Sequence, residues 1–343
     1  MRQGTLLIRA DASLAIGTGH VMRCLALAEA WQDNGGTVSL ATAELPDPLR
    51  PRLTAEGLTL SCIRAVPGGP EDAAATIGQA QELNATWVAV DGDRFGRKFL
   101  QSIRAAGFRV LLVDDFADRE SFPADLIVNP NMGENSEPYQ KRGTTAQLLI
   151  GAPYILLRRE FRQAATHKKI SETGNRILVT LGGSDPENLA PKIADALSLD
   201  SDLKVTLVAG AAYDKENELQ RVSTRNLQVV FNPSDMAHLM SENDLGIIAA
   251  GGTLWELLAM SCAVLSYSRN AVQARVVEAL SRRGAVVDLG ETRQFDPRRL
   301  AFSVNELVHS RTARERMANL SRSLVDGLGA SRVAAAARQI GAR

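Results

Sequence analysis

Four side chains near the amino terminus have the types and spacing to do chemistry: Arg9, Asp11, His20 and Arg23. They lie in the segment Arg9-Ala-Asp11-Ala-Ser13-Leu-Ala-Ile-Gly17-Thr18-Gly19-His20-Val-Met-Arg23. An imidazole is the side chain best suited to take a proton near neutral pH. Placed at a helix start, it faces a dipole that disfavours the charged form and so preserves a neutral base. A helix-start histidine that caps its neighbours is the competing structural role. Arg23, one turn later on the same face, suits an anionic or polar ligand, or simply solvent. Arg9 and Asp11 suit a ligand at the end of a strand, or a strand-end salt bridge. Gly17 and Gly19 let a ligand approach the backbone and leave amides free for an anion. The loop is not the dinucleotide fingerprint: the third glycine is missing, and no acidic residue closes the second strand. His167, His238 and His309 fall in a linker, a short helix and the terminal region, where surface or core roles are expected.

Two further glycine turns stand in the second half. In Ile177-Leu-Val-Thr-Leu181-Gly182-Gly183-Ser184-Asp185-Pro186-Glu187 a strand leads through glycines toward a helix, with Pro186 expected at its first position behind an acceptor cap. Gly182, Gly183 and Ser184 would offer amides and a hydroxyl to a phosphate, and an ordinary helix start is the alternative. In Ala249-Ala-Gly251-Gly252-Thr253-Leu-Trp255-Glu256, Thr253 and Glu256 have the spacing of a capping box. The functional alternative puts Gly252 and Thr253 on a diphosphate and lets the Glu256 carboxylate accept from ribose hydroxyls. Neither turn is a Walker motif, since no Gly-Lys-Ser/Thr occurs.

These turns need elements to hold them, and short aliphatic runs alternating with helical patterns predict parallel sheets with helices on both faces. Strands are expected at 6–8, 38–41, 87–91, 110–114 and 126–129, and again at 177–181, 205–208, 229–231, 245–249, 264–267 and 286–289. Val21, Cys24, Leu25, Ala28 and Trp31 follow the spacing of one buried helix face. That helix should stop at Gly35-Gly36. Residues 131–147 read as a long surface loop and 164–174 as an interdomain linker. The chain is therefore expected to form two Rossmann-like doubly wound domains facing across a cleft, residues 1–163 and 175–320, followed by a terminal helix over 321–343. In such sheets ligands bind at the carboxyl ends of the strands.

Composition narrows the class. The 343 residues carry 39 basic and 39 acidic side chains, so no global field draws in nucleic acid or an anionic membrane. Aromatic residues are only 5%, too few for a base-stacking surface. Three dispersed cysteines, Cys24, Cys62 and Cys262, suit a reducing compartment rather than disulfides or a zinc cluster. Neither a signal peptide nor an apolar run of membrane-spanning length is visible. A cytoplasmic enzyme with a small-molecule substrate, no metal and no cofactor is the expectation.

Together, Arg9-x-Asp11, Gly17-Thr-Gly19-His20-Val-Met-Arg23, Leu181-Gly-Gly-Ser-Asp185 and Gly251-Gly-Thr-Leu-Trp-Glu256 resemble the UDP-sugar hydrolases of the pseudaminic acid pathway. The likeness covers about residues 5 to 290. That family cleaves UDP-2,4-diacetamido-2,4,6-trideoxy-β-L-altropyranose to the free sugar and UDP, with inversion, on the GT-B architecture shared with MurG-type glycosyltransferases. The resemblance implies that His20 activates water, that Glu256 binds ribose, and that Thr253 and the glycine turns bind the diphosphate. It also implies that Arg158 binds substrate. Asn270 and Gln273 stand for an adjacent Asn-Gln pair of the family. After the strand ending at Asp91 the chain reads Asp91-Gly92-Asp93-Arg94-Phe95, where relatives often have His or Asn and then an aromatic. A glycosyltransferase using the same base and UDP site, and a non-catalytic nucleotide-sugar binding protein, are the rival readings.

Overall fold

A computed structural model describes residues 3–131, 136–165, 169–210, 212–213, 215–222 and 224–341. The chain divides into two compact units: Met1–Ser13, His20–Arg158 and Leu328–Arg343 form the first, Leu14–Gly19 and Arg159–Gly327 the second.

The first unit is built on strands β1 (Thr5–Ala10), β2 (Thr37–Thr42), β3 (Thr59–Cys62), β4 (Ala85–Asp91), β5 (Arg109–Val113), β6 (Leu126–Asn129) and β7 (Gln147–Ile150). They form one parallel sheet in the order β3-β2-β1-β4-β5-β6-β7. Leu6, Leu7 and Ile8 of β1 are all fully buried, as expected for a strand covered on both faces. Expected strands recur here within a residue or two of their bounds, whereas β3 and β7 were not anticipated. Both are short edge strands whose residues are mostly half-exposed, so their hydrophobic signal is weak.

The helix Gly19–Asp33 buries the anticipated face, Val21, Cys24, Leu25, Ala28 and Trp31. It ends in a Schellman turn: the Gly36 amide donates to Trp31 O and the Gly35 amide to Gln32 O, with Gly35 at φ 78°. The stretch expected to be a long loop is partly ordered. Glu137–Lys141 is a short helix, because Tyr139 is fully buried and its hydroxyl donates to Asp114 Oδ2 at 2.8 Å. Gly133 and Asn135 lie outside the described residues, as do His167 and Lys168 of the expected linker; the helix Arg159–Ala165 runs into that stretch.

Strands β8 (Arg176–Thr180), β9 (Lys204–Ala209), β10 (Leu227–Phe231), β11 (Leu245–Ala249), β12 (Ala263–Ser268) and β13 (Val286–Glu291) form the second sheet. All pairs are parallel, in the order β10-β9-β8-β11-β12-β13. In both units the third, second, first and fourth strands follow one another, the order of a doubly wound nucleotide-binding sheet. The chain order therefore reverses between β1 and β4, and again between β8 and β11.

The terminal helix starts later than expected. One helix spans Arg311–Leu324, the chain turns at Gly327 (φ 75°), and the last helix is Gly329–Gly341. This last helix packs within the first unit, where Gln3 Nε2 donates to Ala334 O and Arg338 Nη1 to Asn34 Oδ1, each at 3.0 Å.

Candidate active site

Each switch point collects the residues that the motifs singled out. In the first unit β1 runs into the loop that leads to His20, and β4 ends at Asp91. His20 Nδ1 lies 2.7 Å from Asp91 Oδ1, and its side chain is 20% exposed. The fully buried Asp91 is held by Arg23, whose Nε and Nη2 donate to its two oxygens, each at 2.6 Å. Arg23 Nη1 donates to Asp115 Oδ1 at 2.8 Å, and Asn131 Nδ2 donates to the same oxygen at 3.1 Å. The result is a chain, His20–Asp91–Arg23–Asp115, drawn from one helix and the ends of β4 and β5.

Its electrostatics correct one expectation. Burial alone would lower the proton affinity of His20, but the charge and hydrogen bond of Asp91 outweigh it and raise the imidazole above its ordinary 6.5. The carboxylate of Asp91 thus favours the charged imidazolium, opposite to the effect expected of the helix start. Burial pushes Asp91 up, yet Arg23 and His20 together hold it far below the usual carboxylate range. Asp91 thus stays ionised, and in the tautomer with the proton on Nδ1 it accepts the hydrogen bond of that N–H and leaves Nε2 as the acceptor; Arg23 Nη2 stands 3.2 Å from the same Nδ1. Neither Asp91 nor Asp115 stood out as a site residue in the sequence. The available signal was a carboxylate at or just beyond the carboxyl end of a central strand.

Arg9 and Asp11 take the other role open to them. Arg9 has no exposed surface; Nε and Nη2 donate to Asp72 at 2.8 and 2.9 Å, and Nη1 to Asp11 Oδ1 at 2.5 Å. Its guanidinium stacks over Phe95 at 4.7 Å. Asp11 in turn accepts from the Ala43 amide at 2.7 Å and from Thr42 Oγ1 at 3.1 Å. Arg9, expected to bind substrate, is consumed in bracing the ends of β1 and β2; Asp11, expected there too, gives Oδ1 to the same brace, while its buried Oδ2 has no hydrogen-bond partner among the described residues. The partner Asp72 lies 63 residues away and carried no local signal. Arg158, expected on substrate, is likewise a buried side chain, at the boundary of the first unit.

In the second unit β8 ends in the Gly182–Gly183 turn and β11 in the Gly251–Gly252 turn, one on each side of the switch point. Gly182 has φ 84°, so the turn itself requires glycine. The expected helix at Pro186 begins instead at Ala190: Asp185, also left-handed at φ 43°, accepts from the Leu189 and Ala190 amides at 3.1 and 2.9 Å. Ser184 is buried beside it.

The capping-box alternative for Thr253 and Glu256 is not realised. The N-cap of the helix Gly252–Ala259 is Gly251 and carries no side-chain cap, so Thr253 is the second helical residue. A Cβ at Gly251 or Gly252 would meet nothing within 4 Å. Packing does not demand glycine there, and the first amides of the helix remain open to an anion. Thr253 and Glu256, three apart on this helix, are both half-buried.

Asn270 and Gln273 each give their side-chain oxygen to a backbone amide. Asn270 Oδ1 accepts from the Gln273 amide at 2.9 Å while Gln273 Oε1 accepts from the Arg269 amide at 2.8 Å, a capping-box arrangement at the start of the helix Ala271–Arg282. Arg269, which the motifs missed, donates Nη2 to Leu181 O at 2.6 Å and so ties the end of β12 to the glycine turn after β8. Its Nε stands 3.1 Å from Glu187. Among the described residues no group of three His, Cys, Asp or Glu side chains could hold a metal ion. Among the same residues no helix is long and apolar enough to cross a membrane.

No family model matches the chain. It is 27% identical over 278 residues to the uncharacterised protein MJ1062 of Methanocaldococcus jannaschii, a match covering 77% of this chain and 55% of that one. The chain thus spans about half the length of this archaeal relative. It is 26% identical over 232 residues to the spore coat polysaccharide biosynthesis protein SpsG of Bacillus subtilis, covering 66% and 68% of the two chains. It is 25% identical over 293 residues to the UDP-2,4-diacetamido-2,4,6-trideoxy-β-L-altropyranose hydrolase of Campylobacter jejuni, covering 82% and 98%. Among solved structures, the MurG of Acinetobacter baumannii has a TM-score of 0.64 at 17% identity, over 98% of this chain and 99% of that one. The spinosyn forosaminyltransferase SpnP reaches 0.70 at 13% identity over the full length of both. The chain has the two-unit GT-B fold of these glycosyltransferases.

Proposed function

We propose that this protein is a UDP-sugar hydrolase acting by inverting attack of a His20-activated water. The observation that carries the reading is the His20–Asp91 pair at the first switch point, an oriented base whose second nitrogen is left to accept a proton. The named activity of the Campylobacter jejuni relative supports UDP-2,4-diacetamido-2,4,6-trideoxy-β-L-altropyranose as the substrate, in pseudaminic acid biosynthesis. Water gives its proton to Nε2 as its oxygen bonds to the anomeric carbon. The bond from that carbon to the β-phosphate oxygen breaks, and its electron pair leaves with UDP. Asp91 stabilises the imidazolium that forms, and Arg23 keeps Asp91 ionised and aligned.

UDP is a good leaving group once its charge is met by amides, so a single base suffices where ordinary glycosidases use paired carboxylates. The amides of Gly182, Gly183, Ser184, Gly252 and Thr253 are assigned to the diphosphate, Glu256 to the ribose, and Gly19 and Arg158 to the substrate. The open space at Gly251 and Gly252 supports the diphosphate assignment.

The test is UDP release from the altropyranose nucleotide, with UDP-GlcNAc as control, by the natural protein and His20→Ala. Acceptor-free release, abolished in the variant while UDP still binds, is the expected result. Bound UDP without release would instead favour a glycosyltransferase lacking its acceptor, the activity class of several structural neighbours. Absence of UDP binding would sink both.

A further inference from the structure

We infer that Asp93 is the specificity-determining carboxylate of the His20 site, receiving an N–H or O–H donor of the sugar and turning away acidic sugars. This rests on reading the His20 site as the place where the sugar is held.

Asp93 follows Asp91 by two residues, across Gly92, whose φ of 140° turns the chain as β4 ends. Both flanks of the turn are fixed. Arg119 donates Nη2 to Gly92 O at 3.0 Å and Nη1 to Phe95 O at 2.5 Å, and is itself held by Asp114 through Nε at 3.0 Å. Phe95 is buried against Phe99, with ring centroids 4.9 Å apart, and under Arg9. From the other side Gly68 touches the Arg94 carbonyl so closely that a Cβ would stand 2.0 Å from it. Gly92, Arg94 and Phe95 are thus held, while Asp93 among them is exposed and has no hydrogen bond or ion pair with another described residue. A rigid turn that presents one unengaged carboxylate beside an oriented base is suited to contact a ligand.

The charges around it define what that ligand offers. His20, Asp115, Arg119 and Arg23 are near enough to act on Asp93 electrostatically. Arg23 is already shared by Asp91 and Asp115, and Arg119 is paired with Asp114. Both guanidiniums are thus already engaged; together with His20 they favour the charge on Asp93 and Asp115 opposes it, but none of them forms an ion pair with it. Although its surface is largely open, lost hydration at the turn is the strongest influence on its carboxyl and raises it above the ordinary value. An ionised carboxylate only accepts hydrogen bonds. Hydroxyl, amide N–H or ammonium groups on the sugar satisfy it, whereas a uronate would meet like charge in a partly desolvated site.

The test compares the natural protein with Asp93→Ala and Asp93→Asn. Calorimetry measures affinities for UDP, the diacetamido altropyranose nucleotide and UDP-glucuronate, and turnover is measured beside them. Asp93→Ala is expected to weaken the diacetamido nucleotide about ten- to hundredfold, the range for a hydrogen bond to a charged group, with UDP affinity unchanged. The loss should appear in KM rather than kcat, and both variants should gain affinity for UDP-glucuronate. Equal ratios of UDP-sugar to UDP affinity in all three proteins would overturn the inference. So would a marked fall in Tm, which would make Asp93 a structural residue. A natural protein that binds the UDP-sugar without cleaving it would refute hydrolysis alone, and the affinity ratio would still decide Asp93. One that binds neither UDP nor UDP-sugar would refute both.

Discussion

His20 and Asp91, 71 residues apart in the chain, meet at 2.7 Å across the first switch point, with the carboxylate fully buried and the imidazole 20% exposed. In the proposed mechanism one residue is the base and the other its positioning partner, and the two roles separate by experiment.

Replacing His20 by Ala removes the proton acceptor and should lower UDP release by about 10² to 10⁴-fold. The side chain is partly exposed, so the thermal midpoint should hardly move. Val179→Asp is the contrasting variant: Val179 is fully buried in β8, and an unpaired carboxylate there should abolish cooperative folding. Equal damage to folding in the two variants would make His20 a core residue instead.

Asp91 controls when the base is available. Because the proton affinity of His20 is raised, kcat/KM should rise with pH to a midpoint above 6.5 as the imidazole deprotonates. Asp91→Asn removes the charge that raises it, so burial should then draw the midpoint downward while the maximal rate falls. A pH–rate profile with an unchanged midpoint would disprove the assignment.

Arg23 links the same network to acid stability. Burial pushes Asp91 and Asp115 up, but Arg23 more than offsets it, and both fold with carboxyls below the ordinary 3.8. Their stabilisation is therefore complete above about pH 4 and is lost as pH falls through the lowered values. His20 has the opposite sign: its contribution is present below 6.5 and fades as pH rises through its raised value. Arg23→Met should move acid unfolding to higher pH, measurable by circular dichroism along a pH titration. An unmoved acid limb would show that the pairing contributes nothing to folding.

Arg9 was a candidate for substrate, and its surroundings predict a folding defect. Arg9→Met leaves Asp11 and Asp72 buried without their cation, which should cost about 3–5 kcal/mol of stability in urea titration. Lost UDP-sugar affinity at full stability would return Arg9 to the ligand.

Gly252 should behave in the reverse way. A Cβ there meets open space, so Gly252→Ala should leave stability within about 0.5 kcal/mol of the natural protein, or raise it. A methyl group among the amides assigned to the diphosphate should weaken UDP about tenfold, a loss of roughly one good hydrogen bond. Unchanged UDP affinity would move the diphosphate elsewhere.

Much of this molecule was written in short-range pattern. The parallel strands are runs of buried aliphatic residues, and the helix Gly19–Asp33 declares its face at 3.6-residue spacing and its end in Gly35-Gly36. The Gly182–Gly183 and Gly251–Gly252 turns were equally legible, because local backbone geometry needs only neighbouring residues. The half-exposed edge strands β3 and β7 escaped, since their side chains lack a clear period.

Pairing across distance belonged to the tertiary structure alone. His20 and Arg23 read as one helix face, but only the adjacency of β1 and β4 brings Asp91 under them. Arg9 read equally well as ligand-binding or structural until Asp72, from a helix 63 residues on, closed around it. Asn270 and Gln273 resembled ligand contacts until their bonds to backbone amides engaged them. Side-chain type and spacing specify what a residue is able to do. The strand order specifies which charges it meets in a low-dielectric interior, and those charges decide whether it carries a proton, a ligand or the fold.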